Sequence, residues 1–257
     1  MTTPVSSPQL SGRRALVTGS TSGIGRSVAL ALAREGAAVV VSGRDDAAGE
    51  AVIKEIHAAG GTAHFVRADL AEGGLAVARL AREAAERVGG PINLLVNNAA
   101  VLIPAQSLTE VGEQMADAAF GVNVKAPALL VAALAPAMVD SGGGVIVNIG
   151  SISGAIGSPV SALYGATKAA LHSLTASWAA ELAPKGVRVN AVVPGPTMTR
   201  ENAPYHAVLR DIASVAPDGR PGTSDEVADA VVFLAGDRAA HIHGATLPVD
   251  GGYLAAR

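Results

Sequence analysis

The sequence predicts a doubly wound α/β fold: a parallel sheet of about seven strands with helices on both faces, in three layers. Three observations carry this. Short β-branched runs alternate with longer helical patterns along the 257 residues. The strand candidates are apolar at nearly every position rather than every second one, as burial on both faces requires. No repeat or linker divides the chain, so residues 1–257 read as one domain, a length that supports one large core.

In order, "RALVTG" (14–19) reads as the first strand and "IGRSVALALAREG" (24–36) as a helix ended by Gly36. "AAVVVSG" (37–43) is the second strand, and the helix over 45–59 stops at Gly60 and Gly61. "AHFVRADL" (63–70) is the third strand, followed by a helix ending near Gly89 and Gly90, and "INLLVNNAA" (92–100) the fourth. A long helical region covers 107–140, then "GGGVIVNIGS" (142–151) is the fifth strand. In the helix over 161–183, Leu171, Leu174, Trp178 and Leu182 form one apolar stripe. "GVRVNAVVPG" (186–195) is the sixth strand; 224–236 is helical, with Thr223 or Ser224 as N-cap. "GATLPVDGG" (244–252) is the last strand, its "PVDGG" end a turn. The stretch 196–222, rich in Pro, Thr and Gly, has no clear period. In a compact domain a segment of that length suits a functional lid.

Composition removes several function classes. A net charge of −3 gives no electrostatic case for nucleic acid, and no run of like charge suggests a membrane anchor. With no cysteine, neither disulfides nor thiolate metal sites can form. His241 and His243 have no acidic third ligand nearby and read as structural, so no metal is expected. The N-terminus lacks the apolar core of a secretory signal, and residues 1–10 read as a loose arm. The longest apolar run, 126–139, is short for a bilayer and holds Pro127 and Pro136. A soluble cytoplasmic protein is expected.

"TGSTSGIG" (18–25) joins the first strand to the first helix. Gly19 can turn tightly out of the strand, Gly23 lets the main chain approach a pyrophosphate, and Gly25 lets helix and strand pack closely. The helix N-terminus then offers free N–H groups and partial positive charge to phosphates, with hydroxyls from Ser20, Thr21 and Ser22. At the end of the second strand, an acid would accept from a ribose 2′-hydroxyl, whereas a base would accommodate a 2′-phosphate. Here Gly43 stands where the acid would be and Arg44 follows, which favours NADP(H) over NAD(H). Asp45 or Asp46 either restores NAD binding or caps the next helix. Asp69, ending the third strand, is placed to bond an adenine amino group or to cap a helix.

Three further features converge, because the C-termini of parallel strands share one edge, along which ligands bind. "NNAA" (97–100) ends the fourth strand, "NIGSISG" (148–154) ends the fifth, and "YGATK" (164–168) opens the following helix. With "TGSTSGIG", Asn123 in "GVNVKAP", Ser151, Tyr164-x-x-x-Lys168 and "PGPTMT", the chain resembles the short-chain dehydrogenase/reductase family in its single-domain form, over residues 10–257. Ala100 departs from the glycine common there, and "SGRD" resembles NADP-preferring members. The resemblance implies a Rossmann-type sheet and a catalytic set of Asn123, Ser151, Tyr164 and Lys168. It further implies cofactor contacts from Gly19, Ser20, Thr21, Ser22, Gly23, Ile24 and Gly25. Gly43, Arg44, Asp69, Leu70, Asn98 and Ala99 would follow, with Tyr164, Lys168, Pro194, Gly195, Thr197 and Thr199 completing the set. Asn123 would hold a water linking Lys168 to solvent. A homotetramer is implied, with the helices near 107–140 and 161–183 as the main contact.

The chemistry explains the residue types. A free tyrosine, with pKa ~10, is too weakly ionised at neutral pH to remove a proton from an alcohol. Lys168 lies one helical turn on, on the same face. A cation ~6 Å away at an effective dielectric of ~20 contributes about 2.8 kcal/mol, or roughly two pKa units. In the reverse direction the neutral phenol donates the proton. Ser151 would polarise the substrate oxygen, and Lys168 would also hold the nicotinamide ribose. Taken alone, Ser151 is equally a turn cap, Asn123 a helix-interior polar residue, and Tyr164 with Lys168 a surface pair.

The expected function is hydride transfer between NADP(H), or NAD(H), and a carbonyl or secondary alcohol on a largely hydrophobic skeleton, a ketone or 3-oxoacyl-type compound. Residues 200–222, including Tyr205, His206 and Leu209, would close over it, with Val101, Ile103, Ile152 and Ala155 lining the cleft. A non-catalytic dinucleotide sensor on the same fold is the alternative, but it would not require Asn123, Ser151, Tyr164 and Lys168 together. A sugar-nucleotide epimerase fits poorly, since it needs a further C-terminal region.

Overall fold

The computed structural model describes residues 9–103, 105–158 and 162–256. Seven strands form one parallel sheet: β1 (Arg14–Val17), β2 (Ala38–Gly43), β3 (Thr62–Arg67), β4 (Leu94–Asn97), β5 (Gly144–Ile149), β6 (Val187–Pro194) and, last in the chain, β9 (Thr246–Val249). Their order across the sheet is β3-β2-β1-β4-β5-β6-β9. Chain direction across the sheet reverses between β1 and β4, so a crevice opens there at the C-terminal edge. A small separate pair, β7 (Thr197–Met198) and β8 (Gly222–Thr223), lies within the stretch that lacked a period.

The helices are α1 (Gly23–Arg34), α2 (Asp46–Ala58), α3 (Gly74–Arg87), α4 (Glu113–Phe120), α5 (Ala126–Asp140), α6 (Ala162–Leu182), α7 (His206–Ala213) and α8 (Ser224–Ala235). Successive strand residues feed opposite layers, which is why the central strands are apolar at most positions. Ala15, Val17, Val145 and Val147 meet Val28 and Leu32 of α1 and Val227 and Val231 of α8. Leu16, Leu95 and Ile146 face the other way, toward Leu80 of α3 and Leu130 of α5.

Four differences from the sequence reading have local causes. The strand expected over 14–19 stops at Val17, because Thr18 turns its hydroxyl to accept from the amides of Asn98 and Ala99. The region 107–140 is helical but not uniform: a single turn at Leu108–Glu110 precedes α4, and a π-turn over Gly121–Lys125 joins α4 to α5. The joined stretch Glu113–Asp140 is 28 residues long, with hydropathy 1.7 in its most apolar window, enough to cross a membrane by length and composition. Half of that window is buried inside the fold, and α5 packs on α3, β5 and β6. Finally, Leu10 of the expected loose arm is buried, its amide donating to the Glu35 carbonyl at 2.8 Å. Residues 1–8 of that arm, and Ser161 at the start of the helix expected over 161–183, lie outside the described residues.

Arg188 of β6 is a buried cation. Its guanidinium donates to the carbonyls of Leu234, Ala235 and Gly236, so a strand side chain caps the C-terminus of α8.

Candidate active site

The glycine loop leaves β1 at the switch point. Gly19 and Gly23 have φ of +61° and +52°, conformations that disfavour any side chain. A Cβ at Gly19 would lie 2.8 Å from the Ala99 Cα, and one at Gly25 2.4 Å from Asn98 Nδ2. Loop, helix and the end of β4 thus touch. Asn98 donates through Nδ2 to the carbonyls of Thr18 and Gly19, so its amide fastens the loop. Ser20 is fully buried, its hydroxyl donating to the Val17 carbonyl and accepting from the Ser42 amide. Of the three expected hydroxyls, this one is used inside the fold.

The start of α1 is suited to an anion. Its N-cap Ser22 makes no side-chain cap, and its first turn carries no acid, whereas α2 and α8 are capped by Asp45 and Thr223. The first-turn N–H groups of α1, including those of Ile24 and Gly25, keep their donor capacity for phosphate. The glycine cradle and this uncapped N-terminus fit a dinucleotide.

At the end of β2, a Cβ at Gly43 would lie 2.6 Å from Thr21 Cγ2, so the glycine is needed for the loop to approach the strand. Arg44 is exposed. Asp45 accepts from the Ala48 amide at 3.0 Å: it caps α2. Asp69 accepts from the Ala71 amide and caps the turn begun by buried Leu70. For both aspartates the capping alternative is realised.

Ser151 follows β5 in extended backbone, its Oγ accepting from the Ser153 amide at 3.2 Å. Ser151 also acts on the Tyr164 phenol, lowering its pKa. Lys168 is buried on α6, its Nζ 5.6 Å from the centre of the Tyr164 ring and 2.8 Å from the Ile149 carbonyl, to which it donates. Burial pushes Tyr164 up to about 12, opposed by Ser151, and pushes Lys168 down to about 8. The sequence argument, built on attraction to the cation, expected a more acidic phenol. Within the protein, desolvation of the ring outweighs that attraction.

Asn123 lies in the π-turn. Its Oδ1 accepts from the Val101 amide at 2.7 Å, and its Nδ2 donates to the Val101 carbonyl and to Thr167 Oγ1, both at 3.1 Å. Thr167 donates in turn to the Tyr164 carbonyl. Asn123 therefore ties the segment after β4 to the turn of α6 that carries Tyr164. Thr167 was missed from sequence, where nothing separates it from other helix threonines.

At the end of β6, Pro194 and Gly195 bring the chain beside Asp250, with the Gly195 amide donating to the Val249 carbonyl. Thr197 donates to the Gly195 carbonyl, and the Thr199 amide donates to Asn202 Oδ1. The Thr199 methyl and the Glu201 carboxylate stand over Gly23, so this segment overhangs the glycine loop. Of the expected cleft residues, Val101, Ile103 and Ala155 keep exposed surface. Ile152 does not: it is buried with Val193, Ala216 and Tyr253.

The family model described as enoyl-(acyl carrier protein) reductase matches residues 19–254. A 3-oxoacyl-[acyl-carrier-protein] reductase of Staphylococcus epidermidis is 38% identical over 243 residues, covering 93% of this chain and 98% of its own. The chain belongs to the short-chain dehydrogenase/reductase family. A cis-4-hydroxycyclohexanecarboxylate dehydrogenase of Sinomonas cyclohexanicum is 39% identical over 244 residues, covering 95% of this chain and 97% of its own. A solved gluconate 5-dehydrogenase of Burkholderia cenocepacia, in complex with NADP and tartrate, superposes with a TM-score of 0.90 at 33% identity, covering 98% of each chain. As a short-chain dehydrogenase/reductase, the protein is an NAD(P)-dependent oxidoreductase acting on CH–OH and C=O groups.

Proposed function

We propose that this enzyme uses NADP(H) to interconvert a ketone, of hydrophobic or 3-oxoacyl type, with its secondary alcohol. The observation that carries the reading is buried Lys168, its Nζ 5.6 Å from the centre of the Tyr164 ring, on the sheet edge that also carries Ser151 and the uncapped start of α1.

A bound nicotinamide dinucleotide would supply or accept the hydride. Gly23, Ile24 and Gly25 would hold its diphosphate, Arg44 its 2′-phosphate, and Thr197 and Thr199 the nicotinamide end. Ser151 would donate to the substrate oxygen and polarise it. In reduction Tyr164 passes its proton to that oxygen; a phenol raised to about 12 is fully protonated beforehand. In oxidation the proton of the alcohol would pass to Tyr164 in its phenolate form, the charge that burial disfavours and the Lys168 ammonium offsets. Lys168, fastened to Ile149, keeps an ammonium beside the phenolate that reduction leaves.

Exposed Arg44 with Asp45 occupied as a cap supports NADP(H). A hydrophobic substrate is supported by α7 and its flanks, where Tyr205, Val208, Ile212 and Val215 expose an apolar stripe within the overhanging segment. A homotetramer is supported by the small exposed residues along α6, Ala162, Ala166, Ala169, Ser173, Ala176 and Ala180, which allow close helix approach.

The test is a panel of ethyl acetoacetate, cyclohexanone and acetophenone against pyruvate and oxaloacetate, with each cofactor, for wild type and Tyr164→Phe. Turnover of the hydrophobic ketones that falls by about a thousandfold in the variant, with NADPH still bound, is expected. Faster turnover of the charged keto acids, or an unimpaired variant, would refute the reading.

A further inference from the structure

We infer that His172 is a positioning residue for Ser151: its imidazole is a wedge between Gly150 and Gly154 that sets the turn carrying the serine hydroxyl. The inference rests on the role of Ser151 given above. A Cβ at Gly150 would lie 2.3 Å from His172 Nε2 and 2.9 Å from Cδ2, and one at Gly154 2.8 Å from Cε1. One ring edge thus fills the space beside the residue before Ser151 and beside a residue shortly after it. At Gly150 the ring is the nearest obstacle to a side chain, and at Gly154 it acts together with the backbone of Lys168 and Ala169, at 2.8 and 2.7 Å.

His172 stands one helical turn beyond Lys168, as Lys168 stands beyond Tyr164, so the three share one ridge of α6. Tyr164 and Lys168 are next to Ser151 and Ile149 on that ridge. The third member supports, from beneath, the turn that holds Ser151. The ring does this by shape. Its Nε2 is buried without a hydrogen-bond partner among the described residues, and burial with the nearby Lys168 charge favours the neutral ring. A neutral imidazole whose buried Nε2 lies unpaired against Gly150 offers volume rather than a hydrogen bond there.

The test uses the ketone that the panel shows to be turned over fastest, together with amide hydrogen exchange over residues 150–155, which needs no substrate. His172→Ala should lower kcat at least about tenfold, through misplacement of Ser151, and leave the Kd for NADPH unchanged. Exchange over 150–155 should quicken. His172→Leu, of similar volume, should keep kcat within about threefold. Gly150→Ala should be harmful alone but milder in the His172→Ala background, where the methyl enters vacated space. Full kcat with unchanged exchange in His172→Ala overturns the wedge. So does a Gly150→Ala penalty that is equal with and without the ring, or a leucine variant as slow as the alanine one. If His172→Ala does not fold, the leucine variant and its exchange decide. Ser151→Ala separates the two readings: normal kcat there refutes the serine's role, whereas a slow Ser151→Ala beside a fast His172→Ala refutes the wedge alone.

Discussion

Lys168 Nζ is held 2.8 Å from the Ile149 carbonyl while standing 5.6 Å from the centre of the Tyr164 ring. The ammonium is anchored by the sheet and not by the phenol, so its position beside the reacting oxygen does not depend on the protonation of Tyr164.

This anchoring has a pH signature. Lys168 titrates near 8 in the fold and near the ordinary 10.5 when unfolded. Below pH 8 both states carry the proton and the burial penalty is complete. Between pH 8 and 10.5 the unfolded chain holds more protons, so stability gained at this site rises with pH. The unfolding free energy of wild type relative to Lys168→Met should therefore increase across that window in urea titrations. A difference that stays flat with pH would contradict it.

Arg44 should set cofactor preference. Removing a guanidinium that bonds a phosphate forfeits a charge-assisted interaction, about tenfold to a hundredfold in affinity. Arg44→Ala should weaken NADPH binding by that factor and leave NADH nearly unchanged in fluorescence titrations. Equal loss for both cofactors would mean that Arg44 does not face the 2′-phosphate.

Arg188→Ala should destabilise the fold by about 3 kcal/mol, because three carbonyls at the end of α8 lose a buried, charged donor. Amides of α8 should exchange faster with deuterium, while the active-site hydrogen bonds are left in place. A loss below about 0.5 kcal/mol, the level of an ordinary surface change, would show that water replaces the cap.

The homotetramer is open to a charge test. Ala176→Arg places a long cation on the small-residue face of α6 and should shift sedimentation toward smaller species. A wild-type protein that sediments as a monomer would end the proposal outright.

Much of this was legible in the chain. The main strands showed because burial on both faces makes most of their positions apolar, and Tyr164, Lys168 and Ser151 showed because their spacing matches a helix turn and a strand edge. What escaped depends on contacts made only by folding. Gly121–Lys125 carries no pattern that distinguishes a π-turn from ordinary helix. The stretch 196–222 lacked a period because its strands are two residues long and α7 only eight. Ser20 reads as a phosphate-facing hydroxyl until the closeness of Val17 and Ser42 is known. His172 is one polar residue in an alanine-rich helix until Gly150 and Gly154 close on it.

Thr18, Ser20 and Asn98 each hydrogen-bond neighbouring main chain through their side chains. The glycine loop is consequently rigid before any dinucleotide diffuses in, and its disorder is removed during folding, not during capture. Damage at these three positions will register first in melting curves, and only afterwards as slower, weaker uptake of a ligand.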